Sequence, residues 1–354
     1  MKILNRKNLT QPATLGYRMP AEWEKHEATW LVWPHNDETW PTQLAAVEEI
    51  YLQMIEALAL GEKVNVLVND SREENLVRQR LSKRGTKFSQ IFFFQIPTVD
   101  VWIRDYGPTF IVKNENSQRR VAFDRWIFNA WGNKYDSFKA DNVIPEKLAP
   151  ILDLPVFDSG IVLEGGSIEV NGEGTLMTTE KCLLNPGRNP HLTKDGIETY
   201  LKGYLGVSHI IWLGEGIVGD DTDGHIDDVA RFVSATTVLC AVEKDLEDAN
   251  HTFLQGNLER LKRATDQNGK KLNVVQIPMP GVVRCDTGRL PASYANFYIG
   301  NAVVLVPIYG HSNDRIALQI LRDFFPNREV IGILCESLAY GLGAIHCVTQ
   351  QQPA

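Results

Sequence analysis

No apolar run in the sequence approaches the ~18 residues that a bilayer span needs. Residues 1–17 carry no apolar core of the kind found in a secretory signal, so a cytoplasmic location is expected, with no membrane partner. Cysteine is sparse. Cys182, Cys240, Cys285, Cys335 and Cys347 form no CxxC pair and are too few to staple a chain of 354 residues. A basic tract is also missing: Lys and Arg total 36 against 44 Asp and Glu, a net charge of −8. That balance offers little to a phosphate backbone, so no nucleic acid partner is expected, and it mildly favours a cationic ligand. There is no phosphate-cradling GxxxxGK(S/T), and the glycines at 341 and 343 lack the third member of a dinucleotide fingerprint. No low-complexity stretch or linker rich in Gly, Ser or Pro divides the chain, and residues 1–354 are read as a single domain.

What the sequence does contain is a recurring order of elements of α/β class. An amphipathic helix leads into a short apolar strand, a polar loop and a two-stranded hairpin. The first unit has a helix at 45–60, a strand at 64–68, an inserted helix at 72–83 and a strand at 91–96. The loop Trp102-Ile-Arg-Asp-Tyr-Gly-Pro follows, then a hairpin of 109–112 with 120–123. The second has a helix at 145–152, a strand at 155–157 and the loop Leu163-Glu-Gly-Gly. The third has a helix at 193–205, a strand at 209–213, an acidic loop at 219–228 and a hairpin of 229–233 with 238–242. The fourth has a helix at 249–265, a strand at 272–277 and a hairpin of 294–299 with 302–307. The fifth has a helix at 314–324, a strand at 330–334 and a terminal strand at 345–349, for which the strand at 28–33 is the one partner left.

Asp105, Glu164, His225, Ser293 and Cys347 stand at equivalent points of these units, 59, 61, 68 and 54 residues apart. Such an interval points to a radial or solenoidal array whose ring is closed by the N- and C-terminal strands. A doubly wound sheet is the plainer alternative, although it has no need of repeated hairpins.

In a radial array equivalent loops face one centre, which gathers Cys347, His225, Asp105, Glu164 and Asp227. The chemistry that matches a thiol, an imidazole and three carboxylates is attack by a cysteine on a planar cation. Paired carboxylates clamp a guanidinium. A histidine beside a carboxylate moves protons for a leaving amine and an attacking water. A cationic substrate favours the thiolate, and Trp102 offers it a flat face. Plainer uses stay open. Asp105 can pair with Arg104, Glu164 can be a turn acceptor, and Trp102 can be core. His225 among carboxylates suits a divalent ion, though no second histidine lies at ligand spacing. The acidic run Asp220-Asp221 can attract a substrate ammonium or simply be solvated.

Motifs along nearly the whole chain resemble the agmatine deiminase family of the pentein superfamily. They are Arg18-Met-Pro-Ala-Glu-Trp-Glu, Trp30-Leu-Val-Trp-Pro, the Trp102 motif, Phe128-Asn-Ala-Trp-Gly, Leu163-Glu-Gly-Gly-Ser and Thr178-Thr-Glu-Lys-Cys-Leu-Leu-Asn-Pro-Gly-Arg-Asn-Pro. Gly224-His-Ile-Asp-Asp, Ala292-Ser-Tyr-Ala-Asn-Phe and Ile345-His-Cys-Val-Thr-Gln-Gln complete the set. The resemblance implies a five-bladed, pseudo-symmetric α/β propeller, the pentein fold. It implies a cysteine hydrolase that deiminates agmatine to N-carbamoylputrescine and ammonia, a step of polyamine (putrescine) biosynthesis, with no metal and no organic cofactor. Cys347 is then the nucleophile and His225 the proton shuttle. Asp105 and Asp227 hold the guanidinium, and Glu164 takes part in binding and proton transfer. Leu342 and Ala344 depart from the family's nucleophile loop and bear on pocket shape. A homo-oligomer fits the resemblance. The alternatives are deimination of free arginine or peptidyl-arginine, amidino transfer, and a non-catalytic binding protein on the same fold.

Overall fold

The computed structural model describes residues 10–116, 118–286 and 288–354. Residues 1–9 of the segment read above for a signal, and Ser117 of the first hairpin turn, lie outside the described residues.

One strand order recurs five times. Thr109–Glu115 pairs antiparallel with Gln118–Ile127, which runs parallel to Val156–Val162 after the helix Ile144–Leu152. Glu169–Val170, Thr175–Thr179 and His209–Leu213 repeat this around the helix Lys194–Leu205. Ala230–Ser234, Thr237–Val242 and Asn273–Pro278 do so around His251–Arg263. Tyr298–Ile299, Val303–Ile308 and Glu329–Leu334 do so around Asp314–Phe324. The fifth copy is assembled from both chain ends. Gln350–Pro353 pairs antiparallel with His26–Val32, which runs parallel to Lys63–Val68 after the helix Leu44–Leu58. The inserted helix Ser71–Lys83 and the strand Ile91–Gln95 extend that sheet by one parallel strand. The terminal pairing expected from the sequence is therefore present, with Trp30 opposite Gln350. Separate small sheets replace the single doubly wound sheet of the plainer alternative.

Local chemistry explains the elements. Strand Thr237–Val242 is buried at every position, as an apolar strand with a parallel neighbour and a covering helix must be. Helix Lys194–Leu205 starts where Thr193 Oγ1 accepts from the Gly196 N–H at 3.2 Å, and it buries Ile197, Leu201 and Tyr204. It stops at Gly206, whose φ of +64° is left-handed and whose absent Cβ would fall 2.4 Å from the Tyr17 carbonyl oxygen. No helix among the described residues is long and apolar enough to cross a membrane.

Two expected strands are displaced. Residues 345–349 form a turn, and the terminal strand begins at Gln350. Thr349 Oγ1 closes that turn onto the Ile345 and His346 carbonyls at 3.0 Å each. Residues 294–297 are likewise turn and loop. Here Ser293 Oγ donates to the Asp228 carbonyl at 2.7 Å and accepts from the Ala295 N–H at 3.1 Å. In both places side chains compete with the ladder for the backbone. The consequence for function lies in the connections from the last strand of each sheet to the first strand of the next, at 96–108, 163–168, 214–229, 279–297 and 335–349. They hold the chemistry-bearing residues singled out above.

Candidate active site

These five connections touch one another around Cys347. The Arg104 N–H donates to the Cys347 carbonyl at 3.2 Å. Asn296, from the fourth connection, donates Nδ2 to Cys347 Sγ at 3.2 Å and to Asp228 Oδ1 at 3.1 Å. Asn296 Oδ1 accepts from the His346 N–H at 2.9 Å, which fixes the backbone of the nucleophile turn. Asp227 Oδ2 lies 3.8 Å from Cys347 Sγ.

Asp105 sits in the short helix Ile103–Tyr106. Its Oδ1 accepts from the Gly166 N–H at 2.9 Å, and its Oδ2 from Trp131 Nε1 at 2.8 Å. His225 Nδ1 is 3.7 Å from Asp105 Oδ1. Gly166 is what lets these groups close up. A Cβ there would lie 2.6 Å from His225 Nδ1, 2.9 Å from Asp105 Oδ1 and 3.2 Å from Asp227 Oδ2. Glu164 stands beside them, both oxygens accepting from Arg188 Nε at 3.0 and 2.9 Å. The predicted residues Cys347, His225, Asp105, Asp227 and Glu164 are thus brought together, all buried. Trp102 is buried too, its ring against Trp40 at 5.8 Å and so close to Gly343 that a Cβ there would meet it at 2.4 Å.

The electrostatics follow from burial without enough positive charge. Burial, then Asp227, Asp228 and Asp105, push the Cys347 thiol well above its ordinary value. Burial also raises Asp105 and Asp228. Burial opposes the charged form of His225, yet Asp105, Cys182 and Asp227 together raise it well above the ordinary imidazole range. One oxygen of the cluster, Asp227 Oδ1, is buried with no hydrogen-bond partner among the described residues. Glu164, Cys182 and His225 place ligand atoms within 4.8 Å of one another, the grouping a metal would use. The Arg188 guanidinium already bonds both oxygens of the one carboxylate in that group, so the donor set fits a metal poorly.

A sequence model of Porphyromonas-type peptidyl-arginine deiminases matches residues 18–353. The chain belongs to this family. A Legionella pneumophila member, provisionally named an agmatine deiminase, is 40% identical over 346 residues, 97% of each chain. The solved agmatine deiminase of Enterococcus faecalis is 33% identical with a TM-score of 0.89, over 97% of this chain and 98% of that one. A C. jejuni agmatine deiminase solved with substrate bound is 32% identical with a TM-score of 0.85, over 96% of each chain. An amidinotransferase of Microseira wollei, 13% identical with a TM-score of 0.51 over 94% of this chain and 96% of that one, shares the fold alone.

Several members of this family member's site escaped the reading of single residues. Asn296 and Trp131 lie in quoted motifs, but neither type announces a contact with a thiol or a carboxylate. Trp131 reaches Asp105 because Ala130, Trp131, Gly132 and Asn133 all take positive φ, 56°, 53°, 86° and 68°. Such a run costs about 1–2 kcal/mol per non-glycine residue. Only Gly132 and Asn133 hinted at it, and Asn129 Oδ1 supports the turn by accepting from the Gly132 N–H at 2.9 Å. Asp220, left open above between attracting an ammonium and being solvated, has a structural use. Its Oδ2 accepts from the Gly224 and His225 N–H groups at 2.8 and 3.0 Å and its Oδ1 from the Thr222 N–H at 2.7 Å, so it builds the turn that presents His225.

Proposed function

We propose that this protein is an agmatine deiminase, hydrolysing agmatine to N-carbamoylputrescine and ammonia through an amidino-cysteine. The observation that carries the reading is the Asp227 carboxylate, set beside Asp105, His225 and Cys347 with its Oδ1 buried and without a partner among the described residues. A buried anion short of partners is costly, and a guanidinium supplies both the charge and the donors.

Asp105 and Asp227 hold the guanidinium nitrogens, with Glu164 at their side. The carboxylates that keep Cys347 protonated in the free site are the groups a bound cation neutralises, so substrate binding lets the thiol proton leave to solvent and the thiolate form. Cys347 Sγ then attacks the guanidinium carbon. His225, held protonated by Asp105, Cys182 and Asp227, gives its proton to the departing ammonia as the C–N bond breaks. Neutral His225 next takes a proton from the attacking water. A C–O bond forms, the C–S bond breaks, and the thiolate leaves the ureido product. The remaining proton of the adduct hydroxyl leaves with ammonia as ammonium, so one water is consumed, one ammonium is released, and no electrons are exchanged. Trp102 acts in this scheme through Gly343, bracing the loop that carries Cys347.

The choice of agmatine over arginine is supported by how the nearby cations are used. An α-carboxylate needs a free cation. Arg188 is committed to Glu164 and, at 2.8 Å, to Asp223, and Lys134 to Asp223 at 2.9 Å. In the same reading the five repeated sheets are the blades of a five-bladed propeller formed by residues 1–354 as one domain in the cytoplasm. One connection from each blade meets at Cys347, and the chain ends share a sheet. Ureido-product formation from agmatine, arginine and a blocked arginyl peptide tests the function. Turnover confined to agmatine and indifferent to chelator is expected. Preference for arginine or the peptide overturns the substrate, and no turnover of any overturns the chemistry.

A further inference from the structure

We propose that His346 is a positioning residue for cation binding. Backed by Glu22, it fixes the orientation of the Asp227 carboxylate beside Cys347, where that carboxylate receives the guanidinium. The inference rests on the reading of Asp227 as a guanidinium ligand.

His346 Nδ1 lies 2.7 Å from Asp227 Oδ2, and its Nε2 lies 2.9 Å from Glu22 Oε2. All three side chains are buried. Ionised carboxylates only accept, so each contact is a hydrogen bond when the ring nitrogen facing it carries a proton. The arrangement is anchored from below. Arg231 Nη2 bonds Glu22 Oε1 at 2.8 Å, Arg104 Nη2 lies 3.4 Å from Glu22 Oε2, and the Ile299 N–H donates to Glu22 Oε1 at 2.9 Å. Arg231 Nε is in turn bound to Glu169 at 2.9 Å. The ring has little space to swing away, since the cavity lined by Glu22, Arg104, Glu169 and His346 measures about 10 Å³.

The geometry has a directional consequence. His346 engages Oδ2 of Asp227, the oxygen that also lies 3.8 Å from Cys347 Sγ, and leaves Oδ1 without a partner among the described residues, so the imidazole fixes the rotation of the carboxylate beside the nucleophile. Its charge matters as well. Burial alone would raise Asp227, but His346, then His225 and Arg231, hold it below the ordinary carboxylate range, while Asp105 lacks such backing and is raised. Of the two carboxylates expected to grip the guanidinium, Asp227 is the one held below its ordinary range, and His346 is the contact that does most of it.

The test compares alkylation of Cys347 by cationic 2-chloroacetamidine with alkylation by neutral iodoacetamide. In each the thiolate displaces halide from a methylene carbon. The ratio of the two rates therefore reads the grip on a cation, whatever the natural substrate. Asp227→Asn is expected to lower the wild-type ratio about tenfold, and His346→Gln and Glu22→Gln about three- to tenfold. Combined with Asp227→Asn, either variant should lower it no further, because all act through one carboxylate. Additive losses overturn the proposal, as does an equal slowing of both reagents that leaves the ratio fixed. Thermal unfolding checks each fold, and the isosteric Glu22→Gln carries the test if His346→Gln does not fold. Wild type that shows the coupling but no agmatine turnover sinks the proposed function and spares this inference. Turnover with additive ratios does the reverse.

Discussion

Two buried charged regions meet at His346, and they solve the same physical problem differently. Below it, Glu22 and Glu169 are matched by Arg231 and Arg104, and the contacts are direct. Burial there would raise Glu22, but Arg231, His346 and Arg104 hold it well below the ordinary carboxylate range, while Glu169, buried beside Glu22, stays raised with both oxygens hydrogen-bonded. Above it, Asp105, Asp227 and Asp228 face one imidazole and a thiol, and Asp105 and Asp228 are raised. The first region has a direct partner for every carboxylate oxygen and serves as architecture. The second is short of positive charge and of donors, and that deficit is what a guanidinium fills. Buried charge by itself therefore does not mark a site; buried charge left unbalanced does.

The comparison breaks most sharply at Cys347. Cys347→Ser should cut agmatine turnover by about 10³-fold or more while leaving thermal unfolding unchanged, since a hydroxyl can still accept from Asn296. Near-normal turnover in that variant would mean that the upper region is not catalytic. In the lower region, Arg231→Met leaves Glu22 and Glu169 without their shared cation. It should cost about 3–5 kcal/mol of stability in urea unfolding, the scale for breaking a buried pair. A loss below about 1 kcal/mol would erase the distinction between the regions.

Asp227→Asn separates binding from nucleophile reactivity. It should lower kcat/KM roughly 100-fold, with KM raised and kcat reduced, because a desolvated charge partner of the substrate is lost. Yet Asp227 is, after burial, the largest influence holding the Cys347 thiol up. Iodoacetamide should therefore alkylate the variant faster than wild type near neutral pH. Slower alkylation would show that Asp227 does not set the thiol's protonation.

The repeat and its chemistry were legible because they rest on signals that survive in one dimension. Hairpin residues, helix periodicity and the recurrence of Asp105, Glu164, His225, Ser293 and Cys347 at intervals of 59, 61, 68 and 54 residues all point inward without knowledge of any contact. Helix ends with a local cap, such as Thr193 and Gly206, fell within a residue of expectation. What escaped was decided by tertiary contacts. The apolar run at 345–349 has the composition of a strand, but Asn296 and Thr349 hold it as a turn. Trp131 reads as core and is an Asp105 donor, because a left-handed turn that its type gives no sign of re-aims it. His346 and Glu22, 324 residues apart in the chain, cannot be paired by any local pattern.

A third buried carboxylate sharpens the contrast by having neither answer. Asp124, in the strand Gln118–Ile127, is fully buried, and neither of its oxygens has a partner among the described residues. With no nearby cation to oppose it, burial pushes its carboxyl well above the ordinary 3.8, so it meets the interior by keeping its proton. A carboxyl raised on folding lends full stability below the unfolded value and loses it as pH rises toward the folded one. At neutral pH the unfolded chain carries the ionised form, and folding must first take up a proton. Asp124→Asn removes that requirement at nearly the same volume. It should stabilise the protein by about 1–2 kcal/mol at about pH 7, and the gain should vanish near pH 4, in urea titrations at both values. An equal gain at the two pH values would place the effect in packing. A loss at neutral pH would mean that Asp124 is ionised and paired.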